Sequence, residues 1–464
     1  MQQPSQHLSQ LPHSAQVAHP ALTTLAERLV TTRVQSLALV TNLSPEDCQI
    51  QSMPDASPAK WHLAHTTWFL ETFILEKYEA GFEPFDASFR VLFNSYYNGI
   101  GAKHPRTERG LISRPSLQQV LNYRQAVEER VLAVMADRAD DAELQQLIAL
   151  GVQHEQQHQE LMLTDIKHML SCNPLRPAYA KRWPLATVKP EPLRWQALAG
   201  GLQDTGYNKA LDGSFCFDNE MPRHKLWLEP FELATRLVTY GDYLAFMQDG
   251  GYQRPELWLS MGWDWVQACV QTTGSPRSMP LYWQLETDAG GKPMGYSNFT
   301  LQGQVAIDPN TPLCHLSYFE ADAYARWLGS SCADSRWAGA RLPTEHEWEH
   351  AARQFSQAAL QGNFVESKSY HPVPQRAASD GLSQLFGDVW EWTSSNYNPY
   401  PGYQPLEGAV GEYNGKFMCN QFVLRGGSCV TPCDHIRASY RNFFPPDAQW
   451  QFSGLRLARN MQLA

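Results

Sequence analysis

The sequence has no segment suited to a membrane anchor or a secretory leader. No stretch approaches the roughly 20 consecutive apolar residues that a bilayer-spanning helix needs. The first residues, MQQPSQHLSQLPHSAQ, lack the basic start and the apolar core of a secretory signal. Because they are mostly polar, we expect residues 1–20 to form a disordered tail. The sequence therefore predicts a cytoplasmic protein without a membrane partner.

Positive charge and paired cysteines are also scarce. Lys and Arg together number 37 against 47 Asp and Glu, the formal net charge is −10, and no run of basic residues stands out. This charge balance argues against nucleic acid and anionic membranes as partners. The nine cysteines are an odd number and include no C-x-x-C pair. They favour reduced thiols in a cytosol over a disulfide framework.

The chain is long enough for several domains, and its composition changes before the middle. With 464 residues, 43% of them hydrophobic, it should form two or three domains with substantial cores. Helical periodicity recurs four times early in the chain, which predicts a four-helix bundle over residues 21–170. Residues 171–195 hold five prolines and are predicted to be a linker. Residues 196–464 alternate short apolar runs with turn residues, so we predict an irregular domain there and an α+β fold overall.

The last helix of the predicted bundle carries the first chemical signal. His154 and His158 lie four residues apart among good helix formers, so both side chains should lie on one face. That face continues with Leu161, Met162, Asp165 and Met169. A mostly apolar stripe of this kind should point inward. Two inward imidazoles at this spacing can reach one metal ion, but core histidines held by hydrogen bonds would show the same pattern.

A further histidine comes from the second predicted helix. His65 lies on a stripe with Trp61, Trp68, Thr72 and Leu75. His62 lies on a different stripe with Phe69 and Phe73, so periodicity alone does not choose between the two histidines. Metal sites in helical bundles are built from inward side chains on facing helices.

Several motifs of the second half resemble a known family. ARLPTEHEWEHAAR, GDVWEWT, LRGGS and GLRLAR are similar to signatures of the formylglycine-generating-enzyme-like domain, a variant of the C-type lectin fold. The amino-terminal part resembles a DinB-like metal-binding four-helix bundle. The two in this order resemble the sulfoxide synthases of ergothioneine biosynthesis, which are non-haem iron enzymes that use O2 to join a thiol to hercynine. The family usually has GNVWEW where this chain has Asp388, a change that should alter a local turn contact.

The resemblance implies a ligand set for Fe(2+). The family carries its iron on three histidines, and its W-x-LAH and H-x-x-x-H-x-E patterns match His65, His154 and His158, with His62 as a neighbour. A carboxylate is the commoner third ligand in facial-triad oxygenases, and it neutralises part of the charge of the ferrous ion. Three neutral imidazoles leave the ion with its full positive charge. Glu160 is expected to accept a hydrogen bond from a ligand imidazole, or else to be a solvated helix residue.

The resemblance also implies substrate contacts. Gln157 and the segment Asn442, Phe443 and Phe444 would bind hercynine, whose quaternary ammonium is attracted to aromatic faces. One of the two phenylalanines fits a core position equally well. Since one wall comes from each half of the chain, the active site should lie at the domain interface.

Two polar groups in the loop before the third helix complete the prediction. Tyr96 and Tyr97 match a tyrosine pair in the branch of the family that uses free cysteine, where a phenol with an ordinary pKa near 10 would donate a proton. An unremarkable pair of loop tyrosines is the alternative. Arg106 and Arg109 are candidates for the carboxylate of the sulfur donor, because a guanidinium can bind it with two hydrogen bonds.

Other functions share parts of this pattern. A selenoneine synthase, which joins hercynine to a selenosugar, would use the same scaffold, and no residue separates it from a sulfur enzyme. A formylglycine-generating enzyme would need a cysteine pair, and the offset of Cys429 and Cys433 from the RGGS motif differs from that pattern. A DinB-like thiol transferase would not need the second domain. A lectin-like binding module on a structural bundle is the non-enzymatic alternative.

Overall fold

The structure is a computed structural model. It describes residues 24–180, 188–189, 191–270, 274–330, 335–355, 362–375 and 381–461. The tail expected over residues 1–20 lies outside these ranges, as does part of the expected linker. Within them, a helical region is followed by a region of short strands and helices, so the predicted α+β class is confirmed.

Four long helices and two short ones make up the first region. They are α1 (Leu25–Ala38), α2 (Ala59–Leu70), α3 (Glu76–Tyr78), α4 (Phe89–Leu92), α5 (Leu117–Asp137) and α6 (Ala142–Cys172). Helices α1, α2, α5 and α6 pack around one core that includes Val127, Val131 and Val152. Helix α2 continues into a π-helical turn over Glu71–Leu75. This adjusts the helical register near the site, as single π turns often do.

Local sequence explains where these helices begin. Thr24 and Glu27 form a reciprocal capping box at the start of α1. Ser116 and Gln119 do the same for α5, and the Asp141 carboxylate accepts the Leu144 N–H at the start of α6. Each cap satisfies amide groups that the first helical turn leaves without partners. Of these capped helices, α6 carries His154 and His158, whereas α2, which carries His65, begins after Pro58 without a side-chain cap.

The described residues of the second region form twelve short strands and several helices. The strands are β1 (Trp195–Leu198), β2 (Gly201–Thr205), β3 (His224–Leu228), β4 (Phe231–Ala234), β5 (Trp283–Thr287), β6 (Pro293–Thr300), β7 (Gly303–Ala306), β8 (Trp390–Asn396), β9 (Phe422–Arg425), β10 (Asn442–Phe444), β11 (Ser453–Gly454) and β12 (Ala458–Asn460). The helices are α7 (Lys209–Asp212), α8 (Tyr240–Gln248), α9 (Ser260–Gln267), α10 (Tyr318–Ser330), α11 (Glu345–Phe355) and α12 (Glu412–Gly415).

The strands form four small sheets. Their orders are β1-β4-β12, β10-β9-β8-β11, β2-β3 and β5-β6-β7, and each pairing is antiparallel except the parallel β8–β11 pair. Strand β10 forms an edge of the second sheet and pairs with β9. This edge brings the YRNFF segment to the face that meets the bundle. Among the described residues, no helix is both long enough and apolar enough to cross a membrane.

Helix α6 packs against the bundle on one side and the second region on the other. From Gly151 onward most of its residues are buried. Polar side chains make some of the contacts with the second region: Gln153 with His435 (2.7 Å), Glu160 with Thr431 (2.7 Å) and Lys167 with His315 (2.6 Å). Apolar residues of the second region, among them Leu301, Val430 and Phe452, join the hydrophobic core of the bundle. The buried hydrogen bonds depend on direction, so they set the angle at which the two regions meet.

Candidate metal centre and substrate cavity

Three imidazoles, two buried and one half-buried, meet inside the bundle. His65 comes from α2, and His154 and His158 come from α6. One ring nitrogen of each lies within 4.8 Å of the others, and the ring centroids are 4.6 to 5.0 Å apart. In the described part of the chain, this is the one group of three or more histidine, cysteine or acidic side chains arranged to hold a metal ion. The structure thus brings together the three histidines singled out in the sequence.

The ring of His65 is fixed by its neighbours. Its Nδ1 lies 2.6 Å from the carbonyl oxygen of Phe93, which can only accept, so Nδ1 carries the proton and Nε2 is left with a lone pair. The ring is also stacked on Trp61, with centroids 4.6 Å apart. A ring fixed in this tautomer is prepared to bind a cation through Nε2.

A chain of side chains orients His158. Asp165 Oδ2 lies 3.0 Å from His62 Nε2, and His62 Nδ1 lies 2.8 Å from His158 Nδ1. The carboxylate accepts the proton on His62 Nε2, so His62 Nδ1 is an acceptor and His158 Nδ1 must donate to it. His158 Nε2 is then free to bind a metal. A carboxylate–histidine pair behind a ligand imidazole is a frequent arrangement in metal sites.

His154 shows most directly that the group fits a cation. Its buried Nδ1 has no hydrogen-bond partner among the described residues. Burial lowers the pKa of His154 to about 4, and the pKa values of His65 and His158 also lie well below the ordinary value because of burial and the neighbouring imidazoles. Three neutral imidazoles in one enclosed space form a donor set suited to a divalent transition metal.

We expect His62→Ala to weaken metal binding without abolishing it. The substitution removes the acceptor of the His158 Nδ1–H bond but leaves all three candidate ligands. Loss of such a supporting group typically lowers metal affinity about 10- to 100-fold. Equilibrium dialysis against Fe(II) under anaerobic conditions gives the affinity. If His62→Ala bound no metal while His158→Ala bound it normally, His62 would be the ligand instead.

The histidines line a narrow cavity of about 70 Å³. The polar residues predicted for the sulfur donor and for proton donation also line it: Tyr96, Tyr97, Arg106 and Arg109. Asp55 and Ser57 complete the polar side of this wall. The loop before α5 therefore reaches the same space as α2 and α6.

Arg109 is buried beside the histidines without an acidic partner. It is 4% exposed, its guanidinium carbon lies 3.4 Å from the centre of the Trp61 ring, and its Nη1 donates to Ser57 Oγ at 2.9 Å. Its Nε has no partner, and no carboxylate of the described residues lies within ion-pair distance of it. Burial lowers the pKa of Arg109 to about 9. A buried cation of this kind is stabilised when an anion enters the cavity.

Arg106 and the two tyrosines differ in their surroundings. Arg106 is exposed and donates to the Tyr96 hydroxyl at 2.8 Å and to the carbonyl oxygen of Asp55. Tyr97 is buried, with its ring 5.6 Å from Trp68 and 5.2 Å from Phe73. Burial raises the pKa of Tyr97, so its hydroxyl stays protonated at neutral pH.

A wider cavity of about 210 Å³ lies between the two regions and adjoins the narrow one. Both are lined by Asp55, Tyr96, Arg106, Leu161, Tyr413, Phe444 and Trp450. Gln157, Asn442 and Phe443 line the wider cavity only, and Gln157 Nε2 donates to the Tyr440 hydroxyl at 2.9 Å. Phe443 is stacked on Tyr397 with centroids 4.0 Å apart. The predicted hercynine contacts thus lie together at the interface.

Glu160 does not have the expected role. Its carboxylate accepts hydrogen bonds from Trp390 Nε1, Ser428 Oγ and Thr431 Oγ1, all in the second region. Burial raises the pKa of Glu160, and these donors oppose that rise. The prediction that it orients a ligand imidazole was therefore wrong, because two residues beyond His158 the side chain faces the other side of α6. The pair Asp165 and His62 orients the His158 imidazole instead.

Sequence reasoning missed two features of the site. The His62–Asp165 pair could have been predicted, because Asp165 lies seven residues after His158 on the same helical face. Tyr413 and Trp450, which line both cavities, gave no such signal. Tyr413 lies in the four-residue helix α12 and Trp450 in an irregular segment, and both stretches are too short or too irregular for periodicity to indicate which side chains meet.

The two regions match two known families. Residues 28–162 match the DinB superfamily, and residues 196–461 match the sulfatase-modifying factor enzyme 1-like domain. The hercynine oxygenase of Mycolicibacterium thermoresistibile is 30% identical over 95% of this chain and 96% of its own. That of Mycobacterium tuberculosis is 30% identical over 94% of this chain and 98% of its own.

A third relative covers a smaller share of the chain. The formylglycine-generating enzyme of Streptomyces coelicolor is 28% identical over 62% of this chain and 98% of its own. The hercynine oxygenases, in contrast, extend across both matched regions. The chain therefore belongs to the hercynine oxygenase family of oxidoreductases, with a DinB-type helical region followed by a sulfatase-modifying-factor-type domain.

Proposed function

We propose that this protein is an iron(II)- and O2-dependent sulfoxide synthase that joins hercynine to a thiol in ergothioneine biosynthesis. The observation that carries the proposal is the group His65, His154 and His158 in a narrow cavity that adjoins a wider interdomain cavity. In this reaction a C–H bond of the imidazole and the S–H bond of the thiol are lost and a C–S bond forms. One oxygen atom of O2 enters the sulfoxide and the other leaves as water.

The three imidazoles would hold Fe(II). Imidazole suits ferrous iron, and three neutral ligands leave the charge of the ion uncompensated. When present, the ion would bind O2 and the sulfur atom of the donor. The protein's own contribution is orientation: Phe93 fixes the tautomer of His65, and the His62–Asp165 pair fixes that of His158.

We assign the carboxylate of the sulfur donor to Arg109. Its guanidinium is buried in the narrow cavity and has one hydrogen bond, to a neutral hydroxyl. Arg106 is less suited, since it is exposed and already donates to Tyr96 and to Asp55. Cysteine and γ-glutamylcysteine both carry a carboxylate that Arg109 can bind, whereas a selenosugar carries none. The arginine therefore favours a thiol amino acid over the selenium alternative.

Replacing Arg109 by glutamine should raise the KM for the thiol donor about 10- to 100-fold, because a hydrogen bond to a charged group typically contributes roughly 1.5–3 kcal/mol. The KM for hercynine should stay within about twofold of the wild-type value. Steady-state kinetics with each substrate varied in turn give both constants. Arg114→Gln is the matched control, since Arg114 is exposed and contacts only a neighbouring carbonyl oxygen. An equal rise in both KM values would contradict the assignment.

Hercynine would occupy the wider cavity. Phe443 and Phe444 line this cavity, where aromatic rings can attract the trimethylammonium group electrostatically. The amides of Gln157 and Asn442 can bind its carboxylate. With the amino-acid end held there, the imidazole end can extend into the narrow cavity.

A single reconstitution experiment tests the function. The protein is loaded with Fe(II) without oxygen, mixed with hercynine and one donor, and then exposed to O2, with products identified by mass spectrometry. A hercynine sulfoxide of cysteine or γ-glutamylcysteine is the expected product. A selenium-containing product from a selenosugar alone would replace the thiol assignment with selenoneine synthesis. Metal-independent binding of hercynine without O2 consumption would favour a binding module.

A further inference from the structure

One short segment of the second domain lies directly on the tyrosine loop. The segment is the 3₁₀ turn Ala409–Gly411 together with α12, and the loop contains Tyr96, Tyr97 and the 3₁₀ turn Asn98–Ile100. The two 3₁₀ turns contact each other across more than 300 residues of sequence. The second domain thus covers the loop that supplies both candidate proton donors.

Two charged side chains, one in this segment and one directly after it, bind the backbone of the loop. Glu412 accepts the Gly99 N–H at 2.7 Å through Oε1 and the Asn98 N–H at 3.0 Å through Oε2. Lys416 donates to the carbonyl oxygen of Tyr96 and lies 3.6 Å from Glu412. The two side chains therefore hold the backbone on both sides of Tyr97.

We infer that Glu412 and Lys416 are positioning residues, forming a clamp across the domain interface that sets the place of the two tyrosine hydroxyls relative to the three-histidine cavity. The inference rests on the proposed function for its effect on product, but not for the contacts themselves. The hydrogen bonds of the clamp to the loop all go to backbone atoms, and Lys416 Nζ also lies 5.7 Å from the centre of the Tyr96 ring. The clamp therefore determines where the tyrosines lie without a hydrogen bond to either hydroxyl.

Two aromatic rings next to the clamp contact Tyr96. Tyr413, between the two charged residues, has its ring 6.3 Å from that of Tyr96, and the Phe417 ring lies 5.0 Å from the same tyrosine. Tyr413 also lines both cavities. When the clamp holds the backbone, these rings form the wall against which Tyr96 packs.

The approach at Gly99 is close, so a larger residue there would displace the Glu412 carboxylate. A Cβ atom at this position would lie 2.8 Å from Glu412 Oε1 and 3.4 Å from the Ala409 side chain. The two clamp side chains are partly accessible, with 26% and 30% of their surface exposed. Surface ion pairs of this kind contribute little to the stability of a fold. A role in placing the loop accounts for the contacts better than a role in folding.

Hydrogen–deuterium exchange tests the clamp without any substrate. In the Fe(II)-loaded protein, Glu412→Ala should speed exchange of the Asn98 and Gly99 amides about 10-fold or more, because it removes their acceptor. Glu407→Ala, which removes an exposed carboxylate just before this segment, should leave exchange unchanged. Equal exchange in Glu412→Ala and wild type would overturn the clamp, whatever the enzyme makes.

Product analysis tests what the clamp is for. Glu412→Ala should lower kcat for sulfoxide about 10-fold, since small misplacements of a reacting group are costly. Both KM values should change less than about twofold, and more of the donor should be oxidised without forming a C–S bond. Glu412→Gln should recover part of the rate, because its amide oxygen can still accept a hydrogen bond from the loop. Faster exchange with an unchanged product ratio and kcat would overturn the positioning role. If wild type itself made no sulfoxide, the proposed function would fail while the exchange result still decided the clamp.

Discussion

His158→Ala is expected to abolish tight Fe(II) binding and, with it, O2 consumption. The substitution removes one of three candidate ligands and leaves two imidazoles, too few to hold a ferrous ion firmly. Iron content after anaerobic loading and desalting gives the result directly. Activity should fall below detection, because the proposed reaction has no other route to O2.

The fold should survive this change. His158→Ala leaves His62 with one partner instead of two, which should lower the free energy of unfolding by about 1–3 kcal/mol. His168→Ala is the matched control, because His168 lies on the same helix and bonds to Ser52 away from the cluster. Equal iron in His158→Ala and wild type, or equal loss in His168→Ala, would show that the three imidazoles are not the ligands.

If Tyr96 or Tyr97 donates the proton, removing its hydroxyl should change what the enzyme makes rather than whether it consumes O2. Tyr96→Phe and Tyr97→Phe each delete one hydroxyl and little volume, so iron and both substrates should still bind. The product should move from the hercynine sulfoxide toward oxidised donor, such as a sulfinic acid. General acid catalysis typically contributes about 10²- to 10⁴-fold in rate, so the shift should be large.

The surroundings of the hydroxyls make the comparison of variants informative. Tyr96 lines both cavities and receives a hydrogen bond from Arg106, while Tyr97 lines only the narrow one. The two products are measured side by side for each Phe variant, with Tyr413→Phe as a third hydroxyl on the shared wall. If both loop variants keep the wild-type ratio, the pair is structural. A shift in Tyr413→Phe alone would mean that the proton comes from the second domain.

The parts of the site that lie on regular helices were predictable from the sequence. His154 and His158 share a face because the helical repeat places residues four apart one above the other. The choice of His65 over His62 required the family resemblance, since their stripes are equally apolar. The structure gives a physical reason for both histidines: His65 points at the other two, and His62 lies behind His158 between its ring and Asp165.

The irregular second domain was harder to predict. Its sheets have two to four strands, and its core positions follow no single period. Glu160 shows the difficulty, because its partners Ser428 and Thr431 lie more than 260 residues away and nothing local indicates them. The boundaries at residues 170 and 195 were drawn from proline content, whereas α6 runs to Cys172 and β1 begins at Trp195.

The polar side of α6 has a consequence for how the protein is made. Synthesis proceeds from the N-terminus, so the bundle can fold while the second domain is still being added. During that interval Gln153, Glu160 and Lys167, which later bond to His435, Thr431 and His315, face water. A wholly apolar surface there would favour association of newly made bundles with one another, and part of this face is apolar, since the bundle core continues into Leu301, Val430 and Phe452 of the second domain. We therefore expect the three polar side chains to limit such association until their partners in the second domain have been made.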